Sequence, residues 1–350
     1  MAAIAASASA SADSAKTAPV TPQRIMQMAW AYAVPLILEA ALHHGVFDAL
    51  DEGPKTLAEL RKASGASERG LTAILNVLAA LELLARDSGG KFSLTPESSA
   101  FLVSSRPAFM GGMIRHTSSD LIPKWLYLND VVKTGGPTKA VNQQGTGTEF
   151  FEKFVNDIFP MSYAPAQDLA AHLQLDRMGS DVKVLDLAAG SGVWGIVLAQ
   201  SAPQVRVSAV DWPGVLKITR RNAEKFGLGD RYTYREGDLQ EADFGSGYQV
   251  ATLGHILHSE GEARSRKLLA KTFDALASGG TIAIAEFLVN EDRSGPVNGL
   301  LFAVNMLVNT DEGNTWSFEE IARWLGDAGF VYARTLQSRG PSPLILATKP

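Results

Sequence analysis

The chain has 350 residues, 46% of them hydrophobic and 20% charged, with a formal net charge of −5 at pH 7. This length and composition predict about two domains with apolar cores, and an acidic balance without a run of Lys or Arg argues against nucleic acid as the main partner. The absence of cysteine excludes a disulfide framework, a thiolate nucleophile and cysteine-ligated metals.

The N-terminal stretch, residues 1–20, is a low-complexity run of Ala and Ser, which predicts a disordered tail. It lacks a basic start and a long apolar centre, so we expect a cytoplasmic protein without a secretory signal. We also expect no apolar run that approaches the roughly 20 residues of a membrane-spanning helix.

Residues 21–105 predict a winged-helix dimerisation domain, which begins with helices. Thr21–Leu50 shows apolar side chains at three- and four-residue steps, and residues such as Trp30 and Tyr32 spread apolar surface around the helix. Such a surface fits a subunit interface, and it fits burial within the same domain equally well.

A helix, a turn, a second helix and a β-wing follow. Thr56 and Glu59 form a capping-box pattern, Gly65 is placed to end the first helix, and Ser67 opens the second. The stretch after Arg86 predicts a hairpin. This layout occurs in DNA-binding proteins, but the second helix is mostly Leu, Ala, Ile and Val, which suits packing better than base contacts. A DNA-binding regulator is therefore a less favoured hypothesis.

Residues 106–180 predict a helical linker and pocket region with many large apolar side chains. Most of these side chains are expected in the core. A subset suits the walls of a pocket for a flat apolar molecule, because Met and aromatic side chains adapt to such ligands. The candidates from this region are Met113, His116 and Phe159.

Residues 181–350 alternate strand and helix patterns, which predicts a Rossmann-like α/β domain with helices on both faces of a parallel sheet. Ligands of such sheets bind at the carboxyl ends of the strands. The last two runs, Phe330–Ser338 and Ser342–Thr348, are joined by a turn short enough for an antiparallel hairpin. We therefore expect a seven-stranded sheet with an antiparallel ending, which ordinary dinucleotide-binding domains lack.

The first of these strands, Val182–Leu187, runs through Gly190 and Gly192 into a helix. Such a turn lets a ligand approach the backbone and the helix N-terminus. The spacing fits G-x-G-x-x-G, a weak signal that leaves a nicotinamide-dependent dehydrogenase as an alternative. Asp186 at the strand end suits the positive ammonium and sulfonium of S-adenosylmethionine (SAM), or else caps the loop. We expect these residues to bind SAM.

Acidic residues also follow the next two predicted strands, Val205–Val210 and Tyr232–Glu236. Asp211 is placed to accept the ribose hydroxyls of an adenosine cofactor, and Asp238 to reach the adenine amino group. Trp212 and Leu239 beside them would supply apolar walls. Each carboxylate alone fits a solvated loop equally well, but acidic residues at all three strand ends favour an adenosine cofactor.

Two of the six histidines, His255 and His258, follow the fourth predicted strand, Tyr248–Leu253. A predicted helix, Ala263–Ala277, comes next, and Glu286 ends the fifth predicted strand, Gly280–Glu286. Methyl transfer to a hydroxyl requires alignment and removal of the hydroxyl proton, which an imidazole can accept near neutral pH. We expect His258 to be the base and Glu286 to orient it, the alternative being a structural loop histidine. Histidines three apart also suit a metal, but they belong to no recognised metal motif, so none is expected.

From about residue 24 to the C-terminus, the chain resembles the small-molecule O-methyltransferases of the caffeate, acetylserotonin and carminomycin type. The resemblance rests on motifs in the family's order: VLDLAAGSG, VSAVDWPGV, REGDL, HILHSEGEARSRKLLAKTFDALASGGTIAIAEFLV and NMLVNT…WSFEEIARWLGDAGF. It implies a SAM-dependent homodimeric enzyme, paired through its N-terminal domain, that acts on an apolar, aromatic or polyketide-like hydroxyl compound.

The resemblance also implies residue roles. The implied cofactor contacts are Tyr163, Asp186, Gly190, Gly192, Asp211, Asp238, Leu239 and Gly254. The implied acceptor contacts are His255, Phe302, Asn305 and Met306. His258 matches the family's general base, and Glu286 matches one of its supporting carboxylates.

Several positions depart from the family pattern. Ser259 and Glu260 follow the base where Asp and Trp are usual, and Gly254 stands where plant relatives have Lys. The loop at Asp311 and Glu312 offers no clean match for a second supporting carboxylate. These departures leave open a different reaction on the same fold, such as hydroxylation, decarboxylation or ring closure. Methylation of nitrogen or carbon is also compatible with the residues.

Overall fold

The structure is a computed structural model that describes residues 20–138, 140–141, 151 and 154–350. The predicted disordered tail lies outside the described residues, apart from Val20. The N-terminal elements are α1 (Gln23–Trp30), α2 (Ala33–His43), α3 (Val46–Asp51), α4 (Leu57–Ser64), α5 (Glu68–Ala80), β1 (Leu84–Arg86), β2 (Phe92–Leu94) and α6 (Pro96–Phe101).

Local signals set the ends of α4 and α5. Thr56 Oγ1 accepts the N–H of Glu59 at 3.3 Å, and the Glu59 carboxylate accepts the N–H of Thr56 at 2.7 Å. Gly65 ends α4 with a φ of 68°, and Ser67 caps α5 by accepting the N–H of Gly70 at 3.1 Å. With β1 and β2 paired antiparallel, the helix–helix–wing layout is present.

The second helix of this layout, α5, is used for packing. Its residues Leu71, Leu75 and Leu78 are fully buried, at 0% exposure. They share one helix face and pack with Phe47 and Leu60. The apolar composition of α5 therefore serves the domain core.

The apolar surface of α1 and α2, by contrast, is left open. Met26, Trp30 and Tyr32 are 56%, 64% and 58% exposed. The stretch Gln23–His43 is long and apolar enough to cross a membrane by length and composition alone, with a mean hydropathy of 1.5. The expectation that no such stretch exists was wrong, because it considered uninterrupted apolar runs, whereas this one includes polar residues but few charges.

The described part of the middle region includes four helices with defined bounds and one π-helical turn. The helices are α7 (Gly111–His116), α8 (Ile122–Trp125), α9 (Leu128–Thr134) and α10 (Phe159–Leu173), and the turn Thr117–Leu121 joins α7 to α8. Trp125 Nε1 donates to Asn305 Oδ1 at 3.1 Å, and Lys124 Nζ donates to Asn309 Oδ1 at 2.8 Å. These bonds attach the middle region to the C-terminal α/β part.

The C-terminal part is a seven-stranded sheet with apolar cores on both faces. Its elements are β3 (Val182–Leu187), α11 (Val193–Ser201), β4 (Val205–Asp211), α12 (Pro213–Lys225), β5 (Tyr232–Glu236), β6 (Tyr248–Gly254), α13 (Leu257–Ala275), β7 (Leu276–Ala285), α14 (Val297–Asn309), α15 (Phe318–Asp327), β8 (Val331–Leu336) and β9 (Leu344–Thr348). The spatial order is β5-β4-β3-β6-β7-β9-β8.

The strand directions confirm the predicted fold class. Strands β3 to β7 are parallel, and β9 runs antiparallel to both β7 and β8. The chain first builds outward from β3 through β4 to β5 and then returns to the other side of β3 with β6. This reversal creates a crevice at the carboxyl ends of β3 and β6, where such sheets bind ligands.

The starts of two secondary-structure elements differ most from the sequence-based expectation. Helix α13 begins at Leu257 rather than near Ala263, because it consists of two helical pieces across Gly261, whose φ of 71° and ψ of 170° are non-helical. The glycine interrupts the apolar period that would have marked the first piece. Strand β7 likewise begins at Leu276, before the predicted start at Gly280.

Candidate active site

The glycine turn between β3 and α11 has a backbone that favours glycine. Gly190 and Gly192 have φ values of 55° and 79°. A Cβ on Gly192 would lie 2.9 Å from a methyl carbon of Thr219, and a Cβ on Gly195 would lie 2.7 Å from the hydroxyl of Tyr232. The turn therefore packs tightly against the protein and leaves the N-terminus of α11 at the ligand end of the sheet.

Asp186 is enclosed behind this turn. The residue is 0% exposed, its Oδ2 accepts the N–H of Gly195 at 3.0 Å, and its Oδ1 accepts the hydroxyl of Thr252 at 2.8 Å. Burial raises the pKa of Asp186 to about 7, against the lowering effect of these two bonds. The geometry does not support the expected direct contact with SAM, because both oxygens are engaged away from solvent. Asp186 instead ties the turn to β6.

Asp211 ends β4 beside the same turn. Its Oδ2 accepts the N–H of Gly190 at 2.9 Å, and its Oδ1 accepts the N–H of Trp212 at 2.7 Å. One edge of the residue reaches solvent, but the carboxylate is enclosed, and this burial raises the pKa of Asp211 to about 6. Each carboxylate oxygen keeps a second lone pair, so Asp211 is placed to accept hydroxyl donors.

Residues that precede α10 cover the glycine turn. The ring of Phe151 lies 5.9 Å from that of Trp212. A Cβ on Gly190 would lie 3.5 Å from the side chain of Val155. The middle region therefore closes one side of the crevice at the predicted cofactor site.

Asp238 belongs to a polar network that the sequence analysis missed. Its carboxylate lies 3.3 Å from the guanidinium of Arg264 and accepts the N–H of Gln240 at 2.8 Å. Arg264 also donates to Glu260 at 2.7 Å. The i, i+4 spacing of Glu260 and Arg264 was the available signal. Leu239 is 7% exposed and packs into one core of the sheet, which leaves little of it to line a site.

His258 and Glu286 form a buried pair at the carboxyl ends of β6 and β7. The ring nitrogen Nδ1 of His258 lies 2.8 Å from Glu286 Oε2. The backbone N–H of His258 donates to Glu286 Oε1 at 3.2 Å. Burial alone would raise the pKa of Glu286, but the charge and hydrogen bonds of His258 outweigh it and lower this pKa. Glu286 is therefore ionised and can only accept. His258 Nδ1 donates to this carboxylate, so in the neutral tautomer of the ring the lone pair lies on Nε2.

A loop after α14 supports the main chain at His258. Asn314 donates its N–H to the carbonyl of His258 at 2.8 Å. A Cβ on Gly261 would lie 2.8 Å from Cβ of Glu312, so the glycine break in α13 allows this loop to pack closely. The loop that lacked a clean match for a second carboxylate thus hydrogen-bonds to the backbone of His258, while Glu286 bonds to its ring.

Aromatic rings adjoin His258. The ring of Phe302 lies 4.9 Å away and edge-on, the ring of Phe287 lies 6.1 Å away, and these two phenylalanine rings are 4.0 Å apart. Phe302 was a predicted acceptor contact. Phe287 was missed, although it directly follows Glu286 in the chain. Apolar walls beside a single polar pair are typical of small-molecule sites.

His255, between β6 and α13, lies beside this pair. Its ring is 4.9 Å from that of Phe287 and 6.4 Å from that of His258. Burial lowers the pKa of His255 to about 4, so the ring is neutral at pH 7. Ligand atoms of His255, His258 and Glu286 lie within 4.8 Å of one another, close enough to share a cation. Because Glu286 already accepts from His258, we favour an oriented base.

Two predicted acceptor contacts on α14 differ in accessibility. Asn305 Oδ1 accepts from Trp125 Nε1 and from Asn309 Nδ2, both at 3.1 Å. Asn305 is one turn from Phe302 on the same helix face. Met306 is 6% exposed, so it packs into the interior instead of lining the site, and its predicted contact is not supported.

Gly254 ends β6 against the indole of Trp194. A Cβ on Gly254 would collide with Trp194 Nε1, and Trp194 is 5% exposed. The indole therefore fills the space that a longer side chain would take at this position. This packing explains why position 254 holds glycine and not Lys.

Tyr163 and Phe159 lie apart from His258. The Tyr163 hydroxyl donates to Gln200 at 3.4 Å, near the C-terminal end of α11. That end is about 10 Å along the helix from the glycine turn, so the predicted contact with the SAM carboxylate is not supported. Phe159 stacks on Phe226, with ring centroids 5.8 Å apart, instead of joining the rings around the base.

His116 and Met113 lie on α7. His116 is 6% exposed, and burial lowers its pKa. Its Nδ1 is 3.3 Å from Asp120, and its ring lies 4.2 Å from that of Phe154. Met113 accepts the hydroxyl of Thr117 through its carbonyl at 3.0 Å. These contacts lie within the middle region, so a place for either residue in the acceptor site stays a prediction.

Comparison with known proteins matches two parts of the chain. Residues 125–331 match the O-methyltransferase domain, and residues 26–104 match the O-methyltransferase dimerisation domain. The chain is similar to the 3-hydroxy-5-methyl-1-naphthoate 3-O-methyltransferase of Streptomyces sahachiroi, with 32% identity over 87% of this chain and 88% of the relative.

Two further proteins extend this similarity. The tetracenomycin polyketide synthesis 8-O-methyl transferase of Streptomyces glaucescens is 28% identical over 94% of this chain and 97% of its own. The crystal structure of human N-acetylserotonin methyltransferase in complex with SAM superposes with a TM-score of 0.83 at 23% identity, covering 95% of this chain and 99% of that one. This last likeness is one of fold.

Proposed function

Because the chain belongs to the SAM-dependent O-methyltransferases, we propose that it methylates a hydroxyl of an apolar, aromatic or polyketide-like small molecule, with His258 as the general base. The observation that carries this proposal is the His258–Glu286 pair at 2.8 Å, which places the lone pair of a neutral His258 ring on Nε2. The naphthoate and the tetracenomycin polyketide in the relatives' names support an aromatic acceptor.

The crevice fits the SAM of this family. The glycine turn brings backbone close to the crevice, Asp211 keeps lone pairs for the ribose hydroxyls, and Trp212 offers an apolar wall. Two assignments are revised: Asp186 shapes the turn, and Asp238 faces the adenine as part of its network with Arg264. When bound, SAM supplies a methyl group on a positively charged sulfur.

The chain's own residues perform the proton transfer. His258 Nε2 would take the proton of the acceptor hydroxyl, while bound SAM would supply the methyl group and leave as S-adenosylhomocysteine. Glu286 keeps the ring oriented and stabilises the imidazolium that forms. Phe287 and Phe302 exclude water from the same side. The proton thus passes from the acceptor to a base whose position is set by two strand ends.

The exposed apolar surface of α1 and α2 suits pairing with a second copy. Met26, Trp30 and Tyr32 lie on the part of the chain that matches the dimerisation domain. The buried leucine face of α5 argues against a base-reading role for that helix. A cytoplasmic location without nucleic-acid or membrane partners stays a prediction from the sequence.

Calorimetric titration with SAM, S-adenosylhomocysteine (SAH) and NAD tests the cofactor site. We expect micromolar binding of SAM and SAH. Asp211→Ala should weaken it about tenfold or more, because two hydroxyl contacts are lost. The exposed Asp274 provides the control variant Asp274→Ala, which should bind as the wild type does. Binding of NAD alone would contradict the assignment.

A second candidate is another reaction on the same site, favoured by Ser259 and Glu260 after the base. Glu260 pairs with Arg264, so this departure has a structural explanation. Incubation of SAM with a panel of hydroxylated aromatic compounds separates the two candidates. Methylated product and SAH in equal amounts support methyl transfer, whereas product without SAH would contradict it.

A further inference from the structure

His255 combines a backbone and a ring environment that proton transfer by His258 does not require. Its φ is 61°, a left-handed value uncommon for residues other than glycine. Its N–H donates to the carbonyl of Ala285 at 2.8 Å. This bond ties the residue to the end of β7, so its ring is held beside Phe287.

The two ring nitrogens of His255 differ in their surroundings. Nδ1 is closed off from solvent and lacks a hydrogen-bond partner among the described residues, yet the residue as a whole is partly exposed. The open edge of the ring is therefore the one with Nε2. A buried lone pair is tolerated better than a buried N–H without an acceptor. The neutral ring should carry its proton on Nε2.

We propose that His255 determines acceptor specificity: its Nε2–H donates a hydrogen bond to an acceptor oxygen that neighbours the hydroxyl deprotonated by His258. The preferred acceptors are then aromatic compounds with two adjacent oxygen substituents, of which the second is a hydroxyl, alkoxy or carbonyl oxygen. This inference rests on the proposed function, since it takes His258 as the base.

The separation of the two histidines fits such an acceptor. Their ring centroids are 6.4 Å apart with planes at 46°, and one ring nitrogen of His255 lies within 4.8 Å of one ring nitrogen of His258. Two hydrogen bonds of about 2.8 Å reach two oxygens that are roughly 2.5–3 Å apart. Phe287 contacts both imidazole rings and provides a flat wall for an aromatic ring.

Three matched probes test the inference: 2-naphthol, 3-methoxy-2-naphthol and 3-ethyl-2-naphthol. The ethyl compound matches the methoxy compound in size but lacks the second oxygen. The wild type should prefer the methoxy to the ethyl compound by about tenfold in kcat/KM. His255→Phe keeps a ring without an N–H and should bring this ratio near one. His255→Asn keeps a donor, tolerates the left-handed φ and should restore most of the preference.

Affinities for the same probes, measured by calorimetry in the complex with SAH, provide a readout without turnover. An equal affinity of the wild type for the methoxy and ethyl compounds, or an unchanged ratio in His255→Phe, would overturn the inference. Loss of the wild-type preference for the methoxy compound after EDTA treatment would also overturn the inference, because a bound cation would then contact the second oxygen. If the affinities differ as expected but no probe is methylated, the proposed function fails and the role of His255 in binding stands.

Discussion

Two histidine–carboxylate pairs of this chain differ in their surroundings. His258 and Glu286 are 2.8 Å apart, and the carboxylate side chain is 2% exposed. His116 and Asp120 are 3.3 Å apart, and that carboxylate side chain is 48% exposed. Water screens the second pair, whereas the first acts at low dielectric with both carboxylate oxygens engaged. We infer that burial of the carboxylate favours His258 over His116 as the base of the proposed reaction.

The largest expected effect is that of His258→Ala. Methyl transfer should fall by roughly 10³-fold, because the acceptor hydroxyl loses its proton acceptor. SAM affinity should stay within about threefold, since the ring lies beyond the cofactor contacts of the glycine turn. The exposed His172 provides the control variant His172→Ala. Unchanged transfer by His258→Ala, measured at saturating SAM, would show that the base role is wrong.

Glu286→Gln tests the other half of the buried pair. The amide oxygen can still accept from Nδ1, but it has no charge to stabilise an imidazolium. We expect kcat to fall by roughly 10²-fold, with SAM binding retained. A rate equal to that of the wild type would mean that position alone, without charge, makes His258 effective.

Asp186 is as buried as Glu286, but the described residues include no cationic partner for it. Its pKa is about 7 in the folded protein against an unperturbed value of 3.8. The folded state therefore holds a proton that the unfolded state has released, so the free energy of unfolding falls as the pH rises from about 4 to about 7. Above pH 7 this contribution is constant.

Asp186→Asn should flatten this dependence. An asparagine can accept the N–H of Gly195 and donate to Thr252, so both contacts survive without the buried charge. We expect a gain of roughly 1–3 kcal/mol at pH 7.5 and little change at pH 4.5. Urea unfolding at several pH values measures it. Curves that stay parallel for the wild type and the variant would contradict the raised pKa.

The smallest expected effect is that of Asp120→Asn. Because its partner carboxylate is half exposed, removing the charge should change stability by less than about 1 kcal/mol and kcat by less than about threefold. Thermal unfolding and the transfer assay measure both. A loss of kcat comparable to that of Glu286→Gln would contradict this expectation. It would indicate that His116, in the middle region, takes part in the catalytic proton transfer.

Local pattern predicted much of the fold. The strands Val182–Leu187 and Tyr232–Glu236 have the predicted bounds, because apolar runs between turn signals describe buried parallel strands. The capping box at Thr56 and the αL glycine at Gly65 were visible as short motifs. Helix α13 was the exception, since a glycine hid its first piece and with it the helical position of His258.

The candidate site was predicted less completely. Strand-end positions and the family resemblance both indicated His258 and Glu286, but the direction of other side chains differs from what their positions implied. Asp186 points behind the glycine turn, Tyr163 reaches Gln200, and Asp238 pairs with Arg264. Each of these partners comes from a different element of the chain.

The sequence by itself thus determined the strand and helix pattern, the glycine turn and the family of the reaction, because these depend on local periodicity and short motifs. Only the tertiary structure decided that Trp194 fills the space at Gly254 and that His255 is held beside the base pair. The periodicity of apolar residues indicates whether a side chain is buried. Its partners are set by elements that meet only when the sheet and its helices pack together.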